Sequence, residues 1–451
     1  MTARSCLSII LAAGLGTRMK SGLPKVMHEI GGLPMVGHVL KALKTAGSER
    51  ITVVIGPEAS ALETFVYEQA PNARCYVQHE RLGTAHAVLA ARPSLEFDAD
   101  DVLVLFGDTP LVTPETVGKV RQALAEGADL AVLGFETGNP FGYGRLLTEN
   151  GRLVAIREEK DASEEERGIT FCNSGIMGFN GPNVLSLLDA IGNGNAKSEF
   201  YLTDAVEIAN ARGLNVVSVT GSQTETQGIN TRAQLASCEA DFQDRMRRAA
   251  MDNGCTLLAP QTVFFSHDTK LDADVIVEQN VVFGPGVKVA GGARIRAFSH
   301  LEGAVVGSRS VVGPYARLRP GAVLGTDTRI GNFVEVKNAT FGAGAKANHL
   351  SYIGDASVGS KSNIGAGTIT CNYDGFLKHR TEIGAGSFVG SNSTLVAPIK
   401  LGNGAFVAAG SVITDDVSHD ALAFGRSRQV VKEGKAKALR TRLKAEKDGK
   451  S

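Results

Sequence analysis

From residue 277 onward, apolar residues followed by small ones recur at every sixth position. The series runs Val277, Phe283, Val289, Ile295, Leu301, takes a five-residue step to Val306, and continues through Val312, Leu318, Leu324, Ile330 and Val336. A second five-residue step leads to Phe341, Ala347 and Ile353, and a third to Val358 and Ile364. A longer polar interruption, 370–382, precedes Ile383, Val389, Leu395, Leu401, Val407 and Ile413. A six-residue period predicts short strands separated by turns, each turning one aliphatic side chain inward. Three hexads then close a triangular coil, and coils stack at the spacing of paired strands, roughly 4.8 Å. Small residues such as 365-GAG-367 and 384-GAG-386 allow the corners.

The first half has a different rhythm. Residues 7–12 (LSIILA) and 102–106 (VLVLF) are unbroken apolar runs. Helical periodicity at 34–46 and a further strand at 51–55 lie between them. Alternating β and α elements predict a mostly parallel sheet covered on both faces, with ligands bound beyond the carboxyl ends of its strands. Two segments lie at such ends. In 11-LAAGLGTRMKSGLPKVMH-28 the small residues bring backbone N–H groups close to phosphate oxygens, and Arg18 and Lys25 supply cations. This is neither a Walker loop nor a GxGxxG turn. In 106-FGD-108, Asp108 just past a strand suits a Mg²⁺ shared with phosphates, although an N-cap aspartate reads the same way.

Composition narrows the classes. The 451 residues, 43% hydrophobic and 21% charged, exclude a disordered chain and predict two or three domains at roughly 150 residues each. Lys+Arg and Asp+Glu are both 47, which gives no global field for nucleic acid or a membrane surface. No apolar run approaches the ~18 residues of a membrane span, and the start has no signal-peptide layout. The six cysteines are scattered without a CxxC pair, as suits reduced thiols in a cytoplasmic protein. Glycine is densest late, with 27 of 53 in the last 200 residues, as corners demand. Basic residues collect from Arg426 to Lys450, either as a solvated tail or as a clamp on an anion.

The string from Leu11 to His28, with 78-QHERLGTAHAV-88, resembles the signature of sugar-phosphate nucleotidyltransferases, and the hexads resemble the left-handed hexapeptide-repeat acyltransferases. Both halves in this order resemble one family, the bifunctional N-acetylglucosamine-1-phosphate uridylyltransferases that are also glucosamine-1-phosphate N-acetyltransferases. GYGR (142–145), EEKD (158–161), NSGI (173–176), YLTD (201–204), ARLRPG (316–321), HLSY (349–352) and NIGAGTITCNYDG (363–375) extend the likeness over nearly the whole chain.

The resemblance implies a Rossmann-like α/β nucleotidyltransferase domain over 1–230, a helical linker over 231–252, and a left-handed parallel β-helix acetyltransferase domain over 253–451 with a basic tail. It implies a uridylyl site of Leu11, Ala12, Ala13, Gly14, Lys25, Gln78, Gly83, Thr84, Phe106, Gly107 and Asp108, with Gly144, Glu158 and Asn173 on the amino sugar. Asp108 and Asn230 would hold Mg²⁺, and Lys25 and Arg18 would neutralise charge during in-line attack on UTP. Leu15 stands where many relatives carry lysine, and Phe106 where tyrosine is common. In the repeats, His349 would be the base that takes the amine proton, since imidazole with a pKa of about 6.5 is largely neutral at neutral pH. Arg319, Lys337, Tyr352, Asn363 and Lys378 would hold glucosamine-1-phosphate. Ala366, Asn372, Tyr373, Ser391, Ala409 and Arg426 would contact acetyl-CoA. Homotrimers are expected, because the polar interruption suggests sites completed by a neighbouring chain. Two alternatives remain: a monofunctional pyrophosphorylase with a purely structural prism, and a non-catalytic scaffold.

Overall fold

A computed structural model describes residues 4–450; the first three residues of the start discussed above and Ser451 lie outside the described residues. The chain forms two compact units, and the division falls inside the helix Arg232–Asp252, after Arg248; Phe265–His267 belong with the first unit.

The first unit is built on a nine-stranded sheet. Its strands in chain order are β1 (Cys6–Leu11), β2 (Arg50–Ile55), β3 (Arg74–Val77), β4 (Asp101–Phe106), β5 (Leu130–Glu136), β6 (Arg145–Glu149), β7 (Arg152–Arg157), β8 (Phe171–Asn180) and β9 (Val216–Thr220). The spatial order is β9-β5-β8-β4-β1-β2-β3, with the β6–β7 hairpin attached through β8. Strand β1 is buried along its whole length and pairs parallel with β2 and β4. Its side chains alternate between two cores: Leu7, Ile9 and Leu11 enter one, and Cys6 and Ile10 the other. That explains the unbroken apolar run, because both faces of the strand are covered. The sheet is not wholly parallel: β8 runs antiparallel to both β4 and β5.

The second unit is a three-sided parallel β-helix. Its first face is a ladder of ten strands, from Thr256–Leu257 to Leu422–Ala423. The second and third faces share one sheet, because Glu335–Phe341 and Tyr352–Val358 run round the corner between them. Every inward residue of the hexad series is buried, with at most 7% exposure. The three five-residue steps all fall at one place, the corner between second and third faces. The polar interruption leaves the prism at that same corner, between Ile369–Cys371 and Thr381–Ile383. Shortened coils and an ejected loop thus gather on a single edge, and the other two edges keep the regular period. Beyond the prism, the helix Lys435–Asp448 is exposed throughout.

Candidate active sites

In the first unit, a cleft of about 390 Å³ opens beyond the carboxyl ends of β1 and β4. Leu11, Ala12, Ala13, Gly14, Lys25, Gln78, Gly83, Thr84, Phe106, Asp108 and Asn230 all line it. Each is there for a local reason. Ala12 N–H donates to Val54 O at 2.8 Å, which carries the loop off β1 across β2. Gly16 has φ +61°, and a Cβ there would lie 2.6 Å from Lys25 Cβ, so glycine lets the loop close on the lysine stem. Gly107 N–H donates to Leu11 O at 2.9 Å and sets the turn that presents Asp108.

The Lys25 ammonium donates to the Asp108 carboxylate, and to Asn230 Oδ1 at 3.1 Å. Ile229 N–H donates to Asp108 O at 3.1 Å, a backbone tie that brings Asn230 to the strand end. Gln78 is buried, and its Nε2 faces Gly83 O at 3.3 Å and His86 Nδ1 at 3.2 Å. Thr84 Oγ1 accepts from Leu202 N–H at 2.9 Å.

Gly144, Glu158 and Asn173 form a second cluster. Asn173 N–H donates to Gly144 O at 2.8 Å, and a Cβ on Gly144 would lie 3.5 Å from Glu158 Oε1. Thr203 Oγ1 donates to Glu158 at 3.4 Å. Burial raises the Glu158 pKa, against the pull of Lys197 and Thr203. Phe106 reaches from the cleft toward this cluster: a Cβ on Gly175 would lie 2.4 Å from its ring, and Gly175 N–H donates to Asn173 Oδ1 at 2.9 Å. Beneath it Arg145 is almost wholly buried and donates to Glu159 at 2.7 Å and to Tyr143 O.

The structure does not bring Arg18 to the cleft lining; it is exposed on the short turn Thr17–Met19. Leu15 is 66% exposed, in an adjoining hollow formed by the same loop. Four lining residues escaped sequence reasoning: the apolar Val26 and Ala87, and the charged Arg81 and Glu199. Arg81 Nε donates to Ala13 O at 2.9 Å and so adds a cation at the loop. It stands inside the 78–88 string, between Gln78 and Gly83.

In the prism, the expected residues occupy two corners. At the irregular corner, between second and third faces, Arg319 donates to Glu335 at 2.7 Å, and Lys337 is paired in register with Gly354 of the next coil. Lys337 is depressed below the ordinary lysine range, first by the charge of Lys378 and then by its hydrogen bond and by Arg319. Tyr352 lies beside Gly354 on the second face. Asn372 donates to Asp355, as does Asn338 at 2.5 Å. Burial pushes the Asp355 pKa up, but these amides and the charges of Lys378 and Lys337 more than offset it, and it lies below the usual range. Three crowded cations beside one engaged carboxylate are a setting that a phosphate relieves.

His349 belongs to the other corner, between first and second faces. Its Nδ1 lies 2.7 Å from Asn332 Oδ1, and both residues line a groove of about 590 Å³ with Arg296 and Arg329, which sequence reasoning had passed over. Ala366, Ser391 and Ala409 continue that corner coil by coil: Asn392 N–H donates to Ala366 O at 2.7 Å, and Gly410 N–H to Ser391 O at 2.8 Å. Arg426 follows, its Cδ 3.8 Å from where a Gly410 Cβ would stand. One chain by itself therefore does not bring all the expected acetyl-site residues together. Asn363 sits on the first face, away from Lys337 and Lys378, and Asn372 and Tyr373 stand on the opposite corner from Ala366 and Ser391.

The chain is similar along its whole length to known proteins. A MobA-like NTP transferase domain matches residues 8–167, a bacterial transferase hexapeptide domain of six repeats matches 303–338, and a hexapeptide repeat of succinyl-transferase matches 380–415. Bifunctional protein GlmU of Azorhizobium caulinodans is 60% identical over 440 residues, 98% of either chain. That of Agrobacterium fabrum is 56% identical over 447 residues and 99% of either chain, and that of Chelativorans sp. is 59% identical over 452 residues and the full length of both. The chain belongs to the GlmU family. As a GlmU-family protein it is a bifunctional enzyme, a nucleotidyltransferase and an acetyltransferase of UDP-N-acetylglucosamine synthesis, and the reading with an inert prism falls away. Among the described residues no helix is long and apolar enough to cross a membrane.

Proposed function

We propose that the cleft of the first unit joins UTP to N-acetylglucosamine-1-phosphate, and that the prism makes the amide of that sugar from glucosamine-1-phosphate and acetyl-CoA. The convergence of Lys25, Asp108 and Asn230 at the end of β4 carries the first assignment.

A sugar-phosphate oxygen attacks the α-phosphorus, the bond to the β-phosphate breaks, and pyrophosphate leaves. The attacking oxygen is anionic at neutral pH, so no general base is needed. Lys25 and Arg81 neutralise phosphate charge at the Gly-rich loop, with Arg18 a more distant cation. Gln78 reads the uracil edge, because its Nε2 faces Gly83 O and His86 and leaves the amide oxygen for the ring N–H. Gly144, Glu158 and Asn173 orient the acetamido sugar. The residues fit a Mg²⁺ ion: Asp108 and Asn230 turn two hard oxygens onto one cationic atom, and such an ion takes its remaining ligands from phosphate and water. Bound there, Mg²⁺ supplies charge neutralisation on the triphosphate.

In the prism the Asn332 amide oxygen accepts from His349 Nδ1–H, which leaves Nε2 free to take the amine proton. The amine nitrogen attacks the thioester carbon, the C–S bond breaks, and the proton on His349 passes to the departing sulfur. Arg319, Lys337 and Lys378 hold the sugar phosphate. The active form is a homotrimer, because His349 and these cations stand on different corners of one prism. Six free cysteines suit a reducing cytoplasm.

Thiol release from acetyl-CoA with glucosamine-1-phosphate, and pyrophosphate release from UTP with N-acetylglucosamine-1-phosphate, test the two halves separately. Both reactions are expected, and His349→Ala should lose only the first. Thiol release surviving in that variant would refute the assigned base.

A further inference from the structure

At the amino ends of the strands, on the far side of the sheet from the nucleotide cleft, the first unit has a second hollow of about 250 Å³. It lies where β1, β2 and β3 begin, with Leu7, Arg50 and Arg74 on its wall. Thr52 pairs in register with Arg74, so Arg50 is Arg74's diagonal neighbour on the same sheet face. Both guanidiniums stand over one ring, that of Phe97: Arg50 Cζ is 5.2 Å and Arg74 Cζ 5.1 Å from its centroid.

Two like charges on adjacent strands repel. Surface arginines usually find a carboxylate, but among the described residues neither of these forms an ion pair, although Glu49 lies on the rim. The Phe97 ring holds them by cation–π attraction, which uses the faces of the guanidiniums and leaves their N–H edges free. The floor is polar as well: Thr52 and Ser94 are buried there, Thr52 Oγ1 donates to Ser94 Oγ at 2.9 Å, and Ser94 Oγ donates onward to the half-buried Tyr76 OH at 3.3 Å. A concave hollow with two pinned guanidiniums and no opposing ion pair has the chemistry of an oxyanion receptor.

We propose that this hollow is a second anion site, distinct from the nucleotide cleft, which takes a tetrahedral phosphate group between Arg50 and Arg74. Nothing in either transferase reaction uses these residues, and the site is independent of the roles assigned to the cleft.

The chain contains no tryptophan. Phe97→Trp therefore places a single reporter in the hollow and keeps an aromatic face for the arginines. Orthophosphate titrated at constant ionic strength, with chloride as control, should give a saturable change in its emission. Adding Arg50→Ala and Arg74→Ala should weaken that response about tenfold or more, while UDP-sugar formation stays within about twofold of wild type. An emission that never saturates, or one that saturates equally without the arginines, would overturn the proposal. Should the tryptophan disturb the fold, equilibrium dialysis of radiolabelled phosphate against the otherwise unaltered chain, with UTP filling the cleft, compares it with Arg50→Ala/Arg74→Ala. Loss of bound phosphate in the double variant supports the site, and equal binding refutes it.

Discussion

The ammonium of Lys25 is bonded to the carboxylate of Asp108, 83 residues away in the chain, and reaches Asn230 from 205 residues away. The lysine and its two oxygen partners belong to three separate segments, yet they define one charged point at the floor of the cleft. The pair is about 14% exposed on either side, so each member is held largely out of solvent. Asp108→Ala removes both the counter-charge of Lys25 and a proposed metal ligand. Uridylyl transfer should fall by roughly a thousandfold or more, with thiol release from acetyl-CoA unchanged. Loss of both activities in a folded variant would contradict the assignment.

Gly83 offers a test of backbone shape. It has φ +121°, and a Cβ there would stand 2.4 Å from Phe200 O, a backbone atom that cannot step aside. Gly83→Ala is expected to destabilise the first unit by about 2 kcal/mol or more and to raise the KM for UTP. Gly142, also at positive φ but with open space around it, should tolerate alanine far better. Equal melting temperatures for the two variants would rule out the clash as the cause.

Asn332 acts through His349. Without its amide oxygen the imidazole can turn or change tautomer, and Nε2 is no longer held ready for the amine. Asn332→Ala should lower kcat for acetylation about tenfold to a hundredfold and displace its pH profile, with the KM for acetyl-CoA little altered. Asn332→Asp, which keeps an acceptor at that point, should recover much of the rate. A uniform rise in KM with an unmoved pH profile would mean a merely structural role.

The two corners of the prism make a further prediction. Within one coil, His349 and the edge carrying Gly354 are separated by the turn at Leu350, where φ is +50°, and by the strand that begins at Tyr352. If neighbouring chains complete each other's sites, oligomers assembled from His349→Ala and Lys337→Ala subunits should contain some intact sites, although either variant alone is inactive. Mixed oligomers as inactive as their parents would place the whole site on one chain.

Asp204 should leave a mark on stability. Burial, with the charge of Glu207, raises its pKa from the ordinary 3.8 to about 6. Between those values the folded state keeps a proton that the unfolded chain has released. Stability contributed by this group therefore falls as pH rises through that window and levels off above it. Asp204→Asn should flatten the decline in melting temperature from pH 4 to pH 6. Parallel curves for the variant and wild type would show that Asp204 does not titrate there.

Much of the fold was legible because its cause is local. Each hexad places one aliphatic side chain inward whatever its neighbours do, and Val277 through Ile413 could be counted off and are buried as counted. The unbroken runs before Ala12 and Gly107 marked strands covered on both faces, and their ends marked the cleft. The antiparallel course of β8 was not visible, since a buried strand between two others reads the same in either direction.

The sequence by itself determined which residue types the chemistry has available: a loop of small residues before Lys25, a carboxylate after a strand, a histidine in the 349–352 string of the hexads. Only the tertiary structure decided which of them meet. Ile229 ties Asn230 to Asp108, Arg81 turns back onto Ala13, and Asn332 lies one coil before His349, through contacts that no local pattern records. Conversely, Asn363 and Arg18, plausible by motif, lie off the clusters they were expected to join. Periodicity reports the environment of a single side chain, whereas a site depends on distances between chain segments, and those are set by how strands stack and where coils are shortened.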